Sequence, residues 1–443
     1  MEEGLTFALK DAQKDAQKDG PKDGPKDGLK PSREEILRQK NLQRFKAEAL
    51  AESRRLRARS DYRPEFDRFL RLLEAGPLAF AERPGGRPVM ALLCLQAPLE
   101  LFHAHGFQPY RLFGGSLAAE RLAAPYAPAT ACPMIKSALG SLALLKGDGP
   151  QLGLAGLIAP TTCDWIVKFP EPLRAMGLNV GPVMALDLPH GQTRDLGQKK
   201  WLKEVYGLNS FLAERSGAKI ARQDLLRSIN VYRAANRAFS RLIELKRQGR
   251  LAQIWFGVLA GSFFGEEAES WVKAIEELLP LLAEARISKA KAAVYLTGSP
   301  IFFPNFKVLR LIDEAGLTVV KDDLCSMERL LTGPVHYGDP SMAGLMEALA
   351  QRYQQGCQCP TCFDADRRVG NLAFGHKNNL FQGLIHHALK GCHPFSLESL
   401  TLERALTLKG LKFLRLETDH SPEDSGPLLT RLEAFRSGLA AFG

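Results

Sequence analysis

From residue 80 onward, short apolar runs alternate with longer amphipathic stretches, and this alternation narrows the choice of fold more than any other feature. A run of a few apolar residues suits a strand buried on both faces, whereas apolar positions every three or four residues suit a helix with one buried side. The runs fall at Pro88–Cys94, Leu154–Ala159, Val180–Leu186, Ala292–Thr297, Leu317–Lys321, Leu380–His386 and Lys412–Glu417. Helical stretches lie between them at Asp164–Met176, Phe306–Ala315, Ser341–Tyr353 and Leu397–Leu408. Strand–helix–strand order predicts parallel sheets covered by helices, an α/β protein. A long charged helical stretch from about Lys199 to Glu284 interrupts the alternation once. The expected organisation is a repetitive tail (1–31), a helical segment (32–80), an α/β half (81–198), a helical insert (199–288) and a second α/β half (289–443). Two similar halves imply a cleft between them.

The tail reads DAQK-DAQK-DGPK-DGPK-DGLK over residues 11–30. It has almost no large apolar side chains to offset the entropy of ordering, so it is expected to be disordered. A helix is expected to begin at a capping box, Ser32 with Glu35. From Arg33 to Arg59 nine basic residues face four acidic ones, a net +5 out of the chain's +10. Such a face is read as solvated, since no aromatic platform or fold motif points to nucleic acid. No run reaches membrane-span length and the N-terminus has no apolar leader, so a cytoplasmic location is expected.

Eight cysteines in 443 residues are too few for a disulfide scaffold, and in a reducing compartment clustered thiols point to metal or redox chemistry. Cys357, Cys359 and Cys362 crowd into six positions. Their spacing alone is compatible with zinc, an iron–sulfur cluster, a disulfide or none of these. Cys163, Cys325 and Cys392 each follow an expected strand, and Cys132 starts an expected helix; in open parallel sheets that edge is where ligands bind. Cys94, within or at the end of the first strand, reads as a small buried hydrophobe. Structural zinc takes paired C-x-x-C knuckles, and only Cys359/Cys362 offers one. Thiols drawn from distant segments suit an iron–sulfur cluster better, and zinc stays open as the alternative.

The motifs CPMIKS (132–137), PTTCDW (160–165), DLPHG (187–191), GCQC (356–359), GCHPFSLES (391–399) and ETDHSPEDSGPLLTRLEAF (417–435) occur in one order. In that order the chain resembles the 2-hydroxyacyl-CoA dehydratase and benzoyl-CoA reductase superfamily, closest to its double-cubane cluster branch, over about residues 86–440. The resemblance implies two flavodoxin-like (Rossmann-like) domains with helical additions, in a homodimer or in a heterodimer with a related subunit. It implies a 4Fe–4S cluster on Cys132, Cys163 and Cys392, enlarged to an 8Fe–9S double cubane if Cys325, Cys357 and Cys359 also serve. Cys362 is outside the family pattern. The branch's further cysteine between CPMIKS and PTTCDW is absent here, and Gly426-Pro427 stands where Gly-Gln is usual.

The activity so implied is ATP-dependent, low-potential reduction of a small molecule after electron transfer from a separate ATP-hydrolysing iron–sulfur activator. The chain itself shows no phosphate-binding loop motif. The alternatives are a 4Fe–4S subunit of a 2-hydroxyacyl-CoA dehydratase or benzoyl-CoA reductase acting on a CoA thioester, and a non-catalytic electron-transfer or zinc-stabilised interaction protein. Around the thiols, Lys136, His190 and His393 are the candidate catalytic groups, with Ser137 beside the cofactor. Glu417 and Asp419 are expected to cap the last helix and pair with Arg431 rather than relay protons. Trp165, Phe302, Phe303 and Phe306 are expected to pack in the core rather than line a pocket.

Overall fold

The computed structural model describes residues 33–77, 86–145, 152–189, 194–286, 292–331, 333–355, 359–361 and 365–440. The repetitive tail and the Ser32 cap lie outside these residues. Asn41–Gly443 form one compact unit; Met1–Lys40 form another, of which only the opening of the first helix is described.

Two four-stranded sheets, parallel throughout, organise the larger unit. The first comprises β1 (Val89–Leu92), β2 (Gln108–Arg111), β3 (Leu154–Pro160) and β4 (Val183–Leu186), in the order β2-β1-β3-β4. The second comprises β5 (Ala293–Gly298), β6 (Thr318–Asp322), β7 (Gly383–Leu389) and β8 (Lys412–Thr418), in the order β6-β5-β7-β8. Both repeat the flavodoxin-like arrangement, in which the chain leaves the first strand for one edge and then crosses to the other side. The crossover leaves a crevice at the carboxyl ends of β1 and β3, and another at those of β5 and β7.

The first half carries α1 (Arg33–Arg57), α2 (Asp67–Ala75), α3 (Leu99–Ala104), α4 (Leu117–Ala123), α5 (Pro133–Leu145), α6 (Asp164–Val167) and α7 (Pro170–Ala175). The insert is α8 (Arg194–Ser216), α9 (Arg222–Arg247), α10 (Gln253–Gly261) and α11 (Ala268–Ala283). The second half adds α12 (Lys307–Glu314), α13 (Met342–Gln355), α14 (Ala365–Lys377), α15 (His393–Thr407) and α16 (Ser425–Ala440).

The departures from expectation have local causes. β2 carries Pro109, which cannot donate a ladder hydrogen bond, so its sequence does not read as a strand; it sits at a sheet edge, where proline is tolerated. The helix expected over Asp164–Met176 is two short helices, because Pro170 starts a new one. β7 runs three residues later than its apolar pattern suggests: His386 and His387 lie in its interior, and all seven residues are buried. The basic α1 docks through its few acids. Glu48 accepts hydrogen bonds from Ser116 Oγ (2.7 Å) and the Ala118 amide (2.9 Å), and Glu52 pairs with Arg310.

The insert is fastened to the second sheet by a buried charge cluster. Lys246, near the end of α9, lies 2.9 Å from Asp322 Oδ2 at the end of β6 and 2.5 Å from Glu328 Oε1. Lys246 is 4% exposed, Asp322 2% and Glu328 5%, so none is compensated by water. Burial raises the Glu328 pKa and the Lys246 charge opposes that rise. Removing the cation would leave two carboxylates buried together, at a cost of about 3–5 kcal/mol. Lys246→Ala is therefore expected to lower the unfolding free energy measured by urea titration at neutral pH by that amount.

Candidate metal centre

Three of the cysteines stand immediately before helices. The Cys132, Cys163 and Cys392 carbonyls accept the first hydrogen bonds of α5, α6 and α15, from Ile135 (3.0 Å), Ile166 (3.0 Å) and Ser396 (3.0 Å). Their sulfurs sit beside the first amide groups of these helices. The Met134 and Ile135 amides favour a thiolate on Cys132, those of Trp165 and Ile166 on Cys163, and that of Phe395 on Cys392. The contact is one of oriented dipoles, since neither Cys163 nor Cys392 closes a side-chain capping bond.

The two sheets meet at this edge. Gly391 has φ +77°, and a Cβ built there would lie 2.3 Å from the Thr130 carbonyl oxygen and 3.3 Å from the Cys132 nitrogen. Only glycine permits both the left-handed backbone and the close approach. That approach brings Cys392 onto Cys132. Cys132 donates its S–H to the Cys392 sulfur, which keeps the Cys132 pKa raised and lowers that of Cys392; a bond from Ser299 lowers Cys392 further. Across the same seam Trp165 Nε1 donates to the Gly391 carbonyl at 3.2 Å. Burial pushes the Cys163 thiol up to about 11, and the charges of Cys392 and Cys359 oppose its ionisation.

The remaining described thiols lie alongside. Arg111, the last residue of β2, donates from Nη2 to Cys325 Sγ at 3.0 Å and from Nη1 to the Cys325 carbonyl at 2.8 Å. Its guanidinium carbon lies 4.8 Å from the Phe302 ring centroid and 5.6 Å from that of Phe113. Thr361 Oγ1 donates to Cys359 Sγ at 3.1 Å. Burial pushes the Cys94 thiol up to about 12, with Cys359 and Cys325 adding to the rise and Arg111 opposing it. No disulfide joins Cys94, Cys132, Cys163, Cys325, Cys359 or Cys392. Among the described residues no three His, Cys, Asp or Glu side chains gather closely enough to hold a single metal ion.

Residues 94–437 match the sequence profile of 2-hydroxyglutaryl-CoA dehydratase, D-component, which is well over half of the chain. The chain belongs to that family. It is 26% identical to the beta subunit of (R)-2-hydroxyglutaryl-CoA dehydratase from Acidaminococcus fermentans, over 80% of this chain and 93% of the relative. It is 26% identical to the Escherichia coli (strain K12) chain YjiM, to which a dehydratase-subunit role is ascribed, over 84% and 96%. It is 23% identical to one of the subunits of benzoyl-CoA reductase from Thauera aromatica, over 72% and 82%.

In this dehydratase-family chain the expected site residues are distributed unevenly. Cys132, Cys163, Cys325, Cys359 and Cys392 come to one edge, whereas Cys357, Cys362 and His190 lie outside the described residues. Lys136 faces away from a free role, its Nζ 2.8 Å from Glu120 Oε1, and Glu120 also lies 3.2 Å from His420 Nδ1. Ser137 is fully buried, and its hydroxyl has no partner among the described residues. His393 is exposed and stacks near Trp165, with ring centroids 6.5 Å apart. Asp419 accepts from the Ser421 amide (2.9 Å) and pairs with Lys390 (2.9 Å), which hold its pKa at about 2 despite burial. Arg431 donates to the Arg415 carbonyl (2.7 Å) rather than to Asp419. Phe302, Phe303 and Phe306 help line a cavity of about 90 Å³ that Arg111 also borders; Trp165 does not reach it. Sequence reasoning passed over Arg111, Ser299 and the His386–His387 pair, although the pair sits in the apolar run directly upstream of Cys392.

Two outcomes follow. Gly391→Ala is expected to lose more than about 2 kcal/mol of stability in denaturant titration, combining left-handed strain with the clash at Thr130. His387 donates from Nδ1 to the Ser299 carbonyl (3.1 Å) and is held neutral by burial, its pKa lowered from about 6.5 to about 4. In the unfolded chain it protonates near 6.5, so its stabilisation is present above that pH and is lost as pH falls towards 4. The loss amounts to about 3 kcal/mol. His387→Gln is expected to flatten that part of the stability–pH curve.

Proposed function

We propose that this chain binds an iron–sulfur cluster on the thiols gathered at the meeting edge of its two sheets and acts as a reductive component of a dehydratase or reductase system. The observation that carries the reading is the convergence of cysteine sulfurs from both halves: Cys132 and Cys163 from the first, Cys325, Cys359 and Cys392 from the second. The donor set fits such a group. It is all sulfur, and its accumulated negative charge meets amide dipoles at three helix starts and the guanidinium of Arg111.

The cluster would supply low-potential one-electron chemistry when bound. The chain's own residues hold and shield it. Cys132, Cys163 and Cys392 form one thiolate group, and Cys325 and Cys359, with Cys357, form a second. Ser299 and the Phe395 amide donate towards Cys392, while the Lys136–Glu120 pair ties α5 to α4 and so keeps Cys132 in place. The electron would come from a separate ATP-hydrolysing activator, and the reduced species would be a small molecule. The compounds for which the relatives are named, 2-hydroxyglutaryl-CoA and benzoyl-CoA, support a CoA thioester as the second candidate.

Anaerobically prepared protein is expected to be brown and to contain iron and acid-labile sulfide in stoichiometric amounts. Stoichiometric zinc without sulfide, after anaerobic reconstitution with iron and sulfide, would sink the reading.

A further inference from the structure

The described thiols fall into two sets by how their charge is compensated. Cys132, Cys163 and Cys392 precede helices and face backbone amides. Cys94, Cys325 and Cys359 precede none. Beside Cys325 and Cys94 lies Arg111, 5% exposed, and among the described residues no carboxylate pairs with it. A buried guanidinium without a counter-charge is costly, so the site calls for anions beside it. The Cys325 sulfur accepts one of its hydrogen bonds, at 3.0 Å. The guanidinium also keeps a donor in reserve: its buried Nε has no hydrogen-bond partner among the described residues.

Cys94 stands at the same place. Leu92 pairs with Arg111 across β1 and β2 and with Ile158 across β1 and β3, which puts Cys94 two residues beyond both pairs, at the crevice of the first sheet. It packs against the apolar cluster that contains Cys132 and Cys392 and that Cys163, Phe113 and Phe302 also border. Phe113 and Phe302 are the rings that flank the Arg111 guanidinium.

We propose that Cys94 is a ligand of the second thiolate group, together with Cys325 and Cys359, and that Arg111 is the residue that positions this group and balances its charge. The proposal rests on the iron–sulfur reading above and revises the packing role that sequence alone suggests for Cys94. It also supplies a further thiol in a chain that lacks a cysteine between Ser137 and Thr162. Among the described residues each set then holds three thiols, one set compensated by helix ends and the other by a cation.

The test uses the full-length protein, reconstituted anaerobically with iron and sulfide, and reads iron and sulfide per chain together with the low-temperature EPR spectrum of the dithionite-reduced sample. Cys94→Ala and the near-isosteric Cys94→Ser are expected to lose about half of the wild-type iron and sulfide, matching Cys325→Ala, with the EPR signal of the other half retained. Arg111→Gln is expected to show the same partial loss, and Arg111→Lys to recover part of it because the charge remains. Wild-type iron, sulfide and EPR spectrum in both Cys94 variants would overturn the ligand assignment. An unaltered Arg111→Gln spectrum would overturn the positioning role. Wild-type protein that takes up no iron would instead defeat the underlying cluster reading, which separates the two failures.

Discussion

The approach of Gly391 to the Thr130–Cys132 backbone is the contact on which the site depends. Neither sheet by itself gathers the described thiols: Cys94, Cys132 and Cys163 come from the first half and Cys325, Cys359 and Cys392 from the second. The seam joins them: a left-handed glycine with no Cβ lets two loops meet at backbone distance, and the Trp165 indole bonds across the join. The apolar cluster around it draws on both halves, with Leu139 and Phe169 from one and Leu389 and Phe395 from the other. Burial there removes water from the sulfurs, which raises the Cys94 and Cys163 pKa values and makes the surrounding dipoles and charges act more strongly.

Charge compensation explains several features that would otherwise look unrelated. Helix starts serve Cys132, Cys163 and Cys392 because the orphan amides are there in any case and need an acceptor. Arg111 serves the other side, packed against the Phe113 and Phe302 rings, which attract its charge without neutralising it. Away from the thiols the same rule applies to ordinary ion pairs. Arg368 lies 3.0 Å from Asp323 Oδ2 and also pairs with Glu398, all three being buried, and Lys246 joins α9 to β6. These pairs lie beside the carboxyl end of β6 and tie α9, α14 and α15 to the second sheet.

Most of the secondary structure was legible because strand and helix periodicities are local. Seven of the eight strands coincide with apolar runs; β2 does not, since Pro109 hides it and only its edge position tolerates the proline. The late register of β7 was hidden for another reason. His386 and His387 look like a boundary, yet they are buried within the strand, a placement that the tertiary surroundings impose. Four of the thiols at the edge could be placed from their position after strands or before a helix. Arg111, Ser299 and the company Cys94 keeps could not, because their importance lies in contacts between segments far apart in the chain.

By itself the sequence determined the α/β class, the helical insert and the side of each sheet at which the cysteines end, all consequences of patterns a few residues long. It could also rank a sulfur-rich site above a disulfide scaffold from cysteine number and spacing. Only the tertiary structure decided which thiols share a space and what balances them. The Cys132–Cys392 pair, the Arg111–Cys325 contact and the place of Cys94 depend on the angle and closeness at which two separately wound sheets dock. That docking is set by the packing of large buried side chains and by the missing Cβ of a single glycine, and no local pattern along the chain records it.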